Sequence, residues 1–427
     1  MARLEEQDLD EKRLARRQRR KKSQLIAYIT LAVVALVVIA GIVLGVHFVG
    51  GRFKTASVSS EEQAAAEEET KEPEEIVIET PEEIQPQEMS EEDLLSEIVE
   101  TCISEMPLED KVAGLFIVTP EQLTGVATAV KAGSGTQEAL SNYAVGGIVY
   151  SAKNIKSEEQ IKEMLSSTAS MSKYPIFTSV FEEGTSSSSV TASIGVNGVV
   201  EITDANSARG SAVSIGSALF QYGFNFDIAP YMGLSEDSPY GTDLASVRDI
   251  TSAMVKGIQE SGVSACGYYF PVKGDTASGA DSSDMTRDQL VVSEYEVFKN
   301  AIDNCGINAI MVSNISLPEL VGDDTPASLS EKIISEELRG TLGFGGIVVT
   351  GPLNEGAITE KYSPAESAIA AIKAGADMLF LPQDFEQAYE GLLAEVKDGS
   401  ISEERINDSL RHIYRIKYAE RVDQIMN

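Results

Sequence analysis

Several acidic residues stand at or behind runs of apolar residues. Glu182 and Glu183 follow Ile176–Phe181, Asp227 lies within Phe224–Pro230, and Asp275, Asp281 and Asp284 follow Ala265–Phe270. Carboxylates gathered at one end of a sheet could surround a divalent cation such as Ca²⁺, or could hold loops by hydrogen bonds. No ligand spacing of the calcium-loop type occurs, so no metal is expected. Asp227 and Asp275 then read as loop-holding residues and the other four as solvated acids. Tyr240, Tyr268 and Tyr269 could form an aromatic platform for a sugar or a peptide. Ser186 to Ser189 supply hydroxyls without a base nearby in sequence and read as a flexible loop. The two histidines, His47 and His412, read as structural; they are too few for a His-rich metal site or a Ser-His-Asp triad in its usual form. Cys102, Cys266 and Cys305 are far apart and read as buried thiols, with a Cys266–Cys305 bridge as the alternative. No cofactor is expected.

The elements that would position these residues alternate along the chain. Strand-like runs occur at Gly114–Val118, Val145–Ser151, Ile176–Phe181, Phe224–Pro230, Ala265–Phe270, Ala309–Asn314, Gly346–Gly351 and Met378–Pro382. They are continuous rather than alternating, as in strands buried on both faces of a parallel sheet. Helical stretches separate them: Ser157–Ser170, Asn206–Tyr222, Asp243–Ser261, Thr286–Asn304, Ser330–Thr341 and Ser363–Ala374. Ser157, Ser330 and Ser363 stand where N-caps are needed, and Pro364 suits a first helical position. Eight such units predict an α/β fold of the TIM-type (β/α)8 barrel, with an open doubly wound sheet as the alternative. No Gly-rich dinucleotide fingerprint follows the first run. In such barrels function sits at the C-terminal strand ends.

The N-terminal quarter has a different character. Residues 1–24 form a basic tail with Lys12, Arg13, Arg16, Arg17, Arg19, Arg20, Lys21 and Lys22. Residues 25–49, Leu25 to Val49, carry no charge and are long enough for a transmembrane helix across about 30 Å of hydrocarbon. The basic flank places the N-terminus in the cytoplasm and the rest outside, so a single-pass protein of the cell membrane is expected. A cleaved signal peptide is the alternative, but its apolar core is usually shorter. Residues 50–90 form an acidic linker, with fifteen acids and one lysine between Glu61 and Asp93, and are expected to be disordered. Residues 91–427 form the barrel. The formal net charge of −33 repels nucleic acid, and no nucleic-acid partner is expected.

Several segments carry a specific likeness. They include Val145-Gly146-Gly147-Ile148-Val149, Asn225-Phe226-Asp227-Ile228-Ala229-Pro230, Phe270-Pro271 followed by Gly274-Asp275-Thr276, and Pro326-Ala327-Ser328-Leu329-Ser330. Leu342-Gly343-Phe344-Gly345-Gly346-Ile347-Val348-Val349-Thr350 and Ala374-Gly375-Ala376-Asp377-Met378-Leu379 complete the set. Together they resemble glycoside hydrolase family 3, in its bacterial β-N-acetylglucosaminidase branch, over roughly residues 90–420. The resemblance implies hydrolysis of terminal β-linked sugars with retention, through a carboxylate nucleophile and an acid/base group. The nucleophile's position in the motif V-T-D-x-L-x-M-G-A-I is Gly351, and Glu355 is the nearest acid that could act as a displaced nucleophile. The acid/base loop retains Asp281 but no histidine. Tyr268, Tyr269, Val272 and Lys273 stand where the motif K-H-F-P-G-H-G-D-T has its lysine, first histidine, glycine and second histidine. Phe181, Gly233, Ser238 and Asn314 replace an aspartate, an aspartate, an arginine and a histidine. Tyr268 and Tyr269 could then fill space left by smaller ligands instead of forming a platform.

The expectation is a catalytically inactive barrel that binds a cell-envelope glycan or an envelope protein. Its ligand-binding candidates are Glu182, Glu183, Tyr240, Tyr268, Tyr269, Lys273, Asp275 and Asn314. The alternative is an active β-N-acetylhexosaminidase acting on cell-wall amino sugars through Glu355.

Overall fold

Eight short strands carry the fold: β1 Phe116–Val118, β2 Gly147–Val149, β3 Phe177–Val180, β4 Phe226–Asp227, β5 Ser264–Phe270, β6 Ala309–Val312, β7 Ile347–Thr350 and β8 Leu379–Phe380. Each falls on one of the eight apolar runs. All pairings are parallel and follow the chain order from β1 to β7, and β8 pairs with β1. This is the TIM-type α/β arrangement. The computed structural model describes residues 90–236, 238–273 and 282–426. The basic tail, the Leu25 to Val49 span, the acidic linker, Asp275 and Asp281 lie outside the described residues. Among the described residues no helix is long and apolar enough to cross a membrane.

Both faces of the strands are covered, which is why the runs are continuous. Every residue of β1, β2, β3, β4, β6, β7 and β8 is buried, and only Tyr268 and Tyr269 of β5 are partly exposed. The ladders are shorter than the runs; Ile228 and Ala229, beyond β4, stay buried without extending the ladder. The ring closes between β7 and β8 through the single parallel bridge Val349–Met378. Side chains reinforce that seam. Thr350 Oγ1 accepts the Phe380 N–H at 2.9 Å, and Asp377 Oδ2 accepts the Val348 N–H at 2.8 Å. Asp377 is buried and also takes bonds from Arg339 Nη2, Ser409 Oγ at 3.0 Å and His412 Nδ1 at 3.1 Å. Burial alone would raise its carboxyl, yet the His412 bond and the Arg339 charge hold it below the usual range. His412 is therefore structural, at the end of the barrel where the strands begin.

The helices start as their sequences predict, with three differences. Ser157 caps Glu158–Met171, and Ser363 and Glu366 form a reciprocal capping box on Pro364–Ala374. The stretch expected from Ser330 begins instead at Lys332, and Ser330 contributes its carbonyl, which accepts from the Ile333 and Ile334 N–H groups. That helix, Lys332–Thr341, has the wider winding in which the Leu342 N–H bonds to Glu337 O, five residues back. The expected Thr286–Asn304 helix is two, Arg287–Val291 and Glu294–Cys305, broken at Ser293. The break lets Glu294 open the second helix and aim its carboxylate at the loop after β4. Both of its oxygens lie 3.2 Å from the Leu234 N. All three cysteines are free, so the Cys266–Cys305 bridge is absent. Cys266 is buried, whereas Cys102 and Cys305 are only half-buried.

Two outcomes follow. Asp377→Asn is expected to lower unfolding free energy by about 3 kcal/mol, because it removes the buried carboxylate that bonds the Val348 N–H and leaves the half-buried Arg339 without its counter-charge. Urea unfolding checks this. The folded Asp377 carboxyl is held low, so its contribution is present at neutral pH and is lost as pH falls through the acid range; the variant should lose that part of the acid limb. Glu294 has the opposite sign. Burial raises it from 4.5 to about 7, so the folded state loses stability as pH rises between those values. Glu294→Gln should remove on the order of 3 kcal/mol, at most, of the decline between pH 5 and 7 in unfolding measurements.

Candidate functional site

Gly351 follows β7, and Asn314 lies two residues beyond the end of β6. A Cβ placed on Gly351 would come within 2.9 Å of both Asn314 Oδ1 and the Val312 carbonyl oxygen. Such contacts are well inside van der Waals distance, so any side chain at 351 would collide with its neighbour strand. Asn314 is buried and held on both sides. Ser328 Oγ donates to its Oδ1 at 2.6 Å, and its Nδ2 donates to Pro352 O and to Glu355 Oε2, both at 2.8 Å. Glu355 is exposed, at the start of the short helix Gly356–Thr359, and its carboxylate reaches back to the β6 end.

The loop after β4 repeats this arrangement. A Cβ on Gly233 would meet the Tyr231 hydroxyl at 2.4 Å. Tyr231 is buried, and its hydroxyl bonds to Ser235 Oγ at 2.7 Å. Aromatic rings fill the neighbouring strand ends. Tyr268 stands edge-on to Phe181 at 5.8 Å, to Tyr231 at 5.6 Å and to Tyr269 at 5.0 Å, and Phe181 packs on Phe380 at 5.9 Å. Lys273 Nζ lies 5.6 Å from the Tyr231 ring centroid. Tyr240 is not part of an open platform: it is 8% exposed, and its hydroxyl donates to Glu183. Clefts of about 620 and 720 Å³ open elsewhere, the first beside Ser264, Asn308 and Gly346 where strands begin.

The carboxylates divide by role. Glu182, expected to be solvated, is fully buried. It accepts the Gly184, Val190 and Thr191 N–H groups at 2.8, 2.8 and 2.9 Å and the Thr191 hydroxyl at 2.6 Å. It thereby organises the turn into the helix Ser189–Ile194, so the Ser186 to Ser189 stretch is built into structure. Ser188 Oγ accepts the Glu183 N–H at 2.9 Å and the Thr185 N–H at 3.1 Å. Glu183, also expected to be solvated, is half-buried and accepts the Tyr231 N–H and the Tyr240 hydroxyl. Burial raises its carboxyl, against the lowering effect of bonds from Tyr231, Tyr268 and Tyr240. Asp227 ties β4 to β3, as a loop-holding residue should: Oδ1 accepts the Glu182 N–H at 3.0 Å. Its Oδ2 is buried without a hydrogen-bond partner. Burial, then the charges of Glu182 and Glu183, push the Asp227 carboxyl well above its ordinary value. Burial likewise raises the phenols of Tyr240, Tyr268 and Tyr269. Asp284 is exposed, as expected. Among the described residues no group of three or more His, Cys, Asp or Glu side chains could hold a metal ion.

The structure therefore brings together Glu183, Tyr240, Tyr268, Tyr269 and Lys273 on one side of the strand ends, and Asn314, Gly351 and Glu355 on the other. Glu182 lies beneath as a buried support. Three contributors were missed from sequence. Tyr231 could have been found from its place two residues before Gly233. Ser328 lies in a segment already singled out. Phe380 gave no signal beyond its strand.

Residues 108–416 match the family described as the Glycosyl hydrolase family 3 N terminal domain. A β-hexosaminidase A from Pseudoalteromonas piscicida is 24% identical over 324 residues, covering 66% of this chain and 54% of that protein. A β-hexosaminidase from Methylobacillus flagellatus is 25% identical over 274 residues, covering 59% of this chain and 77% of that protein. The solved glycoside hydrolase family 3 β-N-acetylglucosaminidase from Paenibacillus sp. str. FPU-7 superimposes with a TM-score of 0.65 at 27% identity, over 74% of this chain and 63% of that one. The chain thus spans about half the length of the Pseudoalteromonas relative. The parallel eight-stranded barrel and the match over residues 108–416 together show that the chain belongs to glycoside hydrolase family 3, through its N-terminal domain.

Proposed function

We propose that this chain is a family 3 barrel without hydrolytic activity, tethered to the cell membrane by Leu25 to Val49, whose strand-end face binds a cell-envelope glycan. The observation that carries the reading is the filled space at Gly351, where Asn314 and the Val312 carbonyl leave no room for a side chain. Retaining hydrolysis requires one carboxylate to attack the anomeric carbon and another group to protonate the leaving oxygen. The strand end that the family motif assigns to the first is closed. No described histidine stands near the strand ends to assist the second; His412 is bound to Asp377 at the other end of the barrel. Gly233 gives independent support, since Tyr231 fills the volume that a carboxylate there would need. The relatives' names point to amino sugars as the glycan class. The uncharged span with its basic flank supports the tether.

A second reading has one observation in its favour. The Asn314 amide draws the Glu355 carboxylate to the β6 end, where it could act as a displaced nucleophile. Its origin four residues along the loop weighs against this, since an error of about 1 Å in attack geometry can cost roughly 100-fold in rate.

Full-length protein in detergent should show no hydrolysis of an aryl β-N-acetylglucosaminide above buffer. Turnover that disappears in Glu355→Gln would overturn the inactive reading in favour of the second. Gly351→Asp should lower stability by about 1–3 kcal/mol through overpacking. Part of that loss should vanish in the Gly351→Asp/Asn314→Ala double variant, and a urea-unfolding double-mutant cycle measures it. Strict additivity would mean that Asn314 does not occupy the space.

A further inference from the structure

The helix Ala205–Tyr222 has the pattern of a helix covered on two sides. Its inward stripe, Ala208, Ala212, Ile215, Leu219 and Tyr222, is buried. About 200° round the helix, Asn206, Gly210, Val213, Ser217 and Phe220 form a second stripe, and all five are exposed. Their spacing of four, three, four and three is that of a helix–helix seam. The helix carries one charged side chain, Arg209, which bonds to Glu260. Its neighbours Glu158–Met171 and Leu244–Gln259 carry four and three charges. Helices without a charged face occur where both sides are covered. We propose that the outward stripe is the interface of a homodimer, in which the same helix of a second copy packs antiparallel against it about a two-fold axis at Ile215.

The stripe is complementary to itself. With the axis at Ile215, Phe220 faces Gly210 of the partner subunit and Val213 faces Ser217 of the partner subunit, so a larger side chain meets a smaller one at each step. Gly210 has no explanation within one chain: glycine inside a helix costs stability, and a Cβ there would meet nothing within 4 Å. Phe220 of the partner subunit is a neighbour that needs that space. Among the described residues six large apolar side chains are exposed, and three stand here: Val213 at 38%, Phe220 at 56% and Val200 at 56%. Val200 is fixed beside the helix by Ser211, whose hydroxyl accepts its N–H at 3.1 Å. Charge selects the occupant. A formal net charge of −33 makes the acidic faces of two copies repel, and a basic partner would be drawn to those faces instead. Pairing the two stripes takes no charge out of water. One helix and its flanking loop make a small contact, so the association is weak and reversible.

Sedimentation equilibrium of the full-length protein in density-matched detergent tests this. The protein should show a concentration-dependent equilibrium between monomer and dimer. Phe220→Asp should weaken the dimer by about tenfold or more, and Ser217→Glu, on the same seam, should do the same. Val292→Asp, at an apolar residue 71% exposed in the break between Arg287–Val291 and Glu294–Cys305, should leave it unchanged. Gly210→Phe should weaken it, because two phenylalanines then collide across the seam, and Gly210→Phe/Phe220→Ala should recover it. A monomer at every concentration, or a dimer indifferent to both Phe220→Asp and Ser217→Glu, would overturn the proposal. Failure of the double variant to recover would overturn the antiparallel pairing. A monomer whose Phe220 is protected from hydroxyl-radical labelling would overturn it in favour of another segment of this chain on the stripe.

Discussion

The barrel closes on a side chain. Between β7 and β8 the backbone makes one isolated bridge, and the Asp377 carboxylate serves as the missing partner for the Val348 N–H. That carboxylate is buried, so it depends on Arg339, Ser409 and His412 to remain ionised and bonded. Arg339 in turn bonds to Phe344 O and Gly346 O and fixes the entry to β7. Above the same seam, the Leu353 N–H bonds to Phe380 O at 2.9 Å and sets the exit from β7. The positions of Gly351 and Glu355 thus follow from how the last two strands are joined.

The two ends of the barrel handle burial differently. Where the strands begin, Asp377 and its partners balance charge with charge, and the Lys417 amine donates to Gly146 O over the Phe177 ring. Where the strands end, Glu182, Glu183 and Asp227 crowd together with tyrosines and no described arginine bonded to any of them. Their burial is offset by backbone N–H groups and phenols, which is enough for Glu182 and leaves one Asp227 oxygen without a donor. Buried charge is thus met by charge where the strands begin, whereas burial pushes the Glu183 and Asp227 carboxyls toward their neutral forms where the strands end.

Much of the fold was legible because parallel strands covered on both faces leave continuous apolar runs, and all eight fell where the runs predicted. The break at Ser293 was not legible, because the contact it allows, between Glu294 and the Leu234 N–H, joins residues sixty apart in sequence. At the site, Gly351, Asn314 and Glu355 were visible as departures from a motif, but their interlock was not: sequence shows which residue is missing and not what has moved into its place. Glu182 looked like surface charge because its bonding partners are backbone groups, which carry no residue identity. Tyr240 looked like a platform residue because the bond that holds its hydroxyl inward goes to Glu183, 57 residues away in sequence. Asp275 and Asp281 lie outside the described residues.

The interlock at Gly351 also shapes how this sequence can change. Starting from the present chain, an aspartate at 351 meets Asn314 and the Val312 carbonyl before it could act on anything. Replacing Asn314 first removes the bonds to Ser328, Pro352 and Glu355 without supplying a carboxylate. Each single step is a loss, and only the pair could be a gain. Tyr231 and Gly233 form a second barrier of the same kind. A carboxylate at this strand end therefore calls for paired changes at 351 and 314, so the two positions are coupled through the space they share.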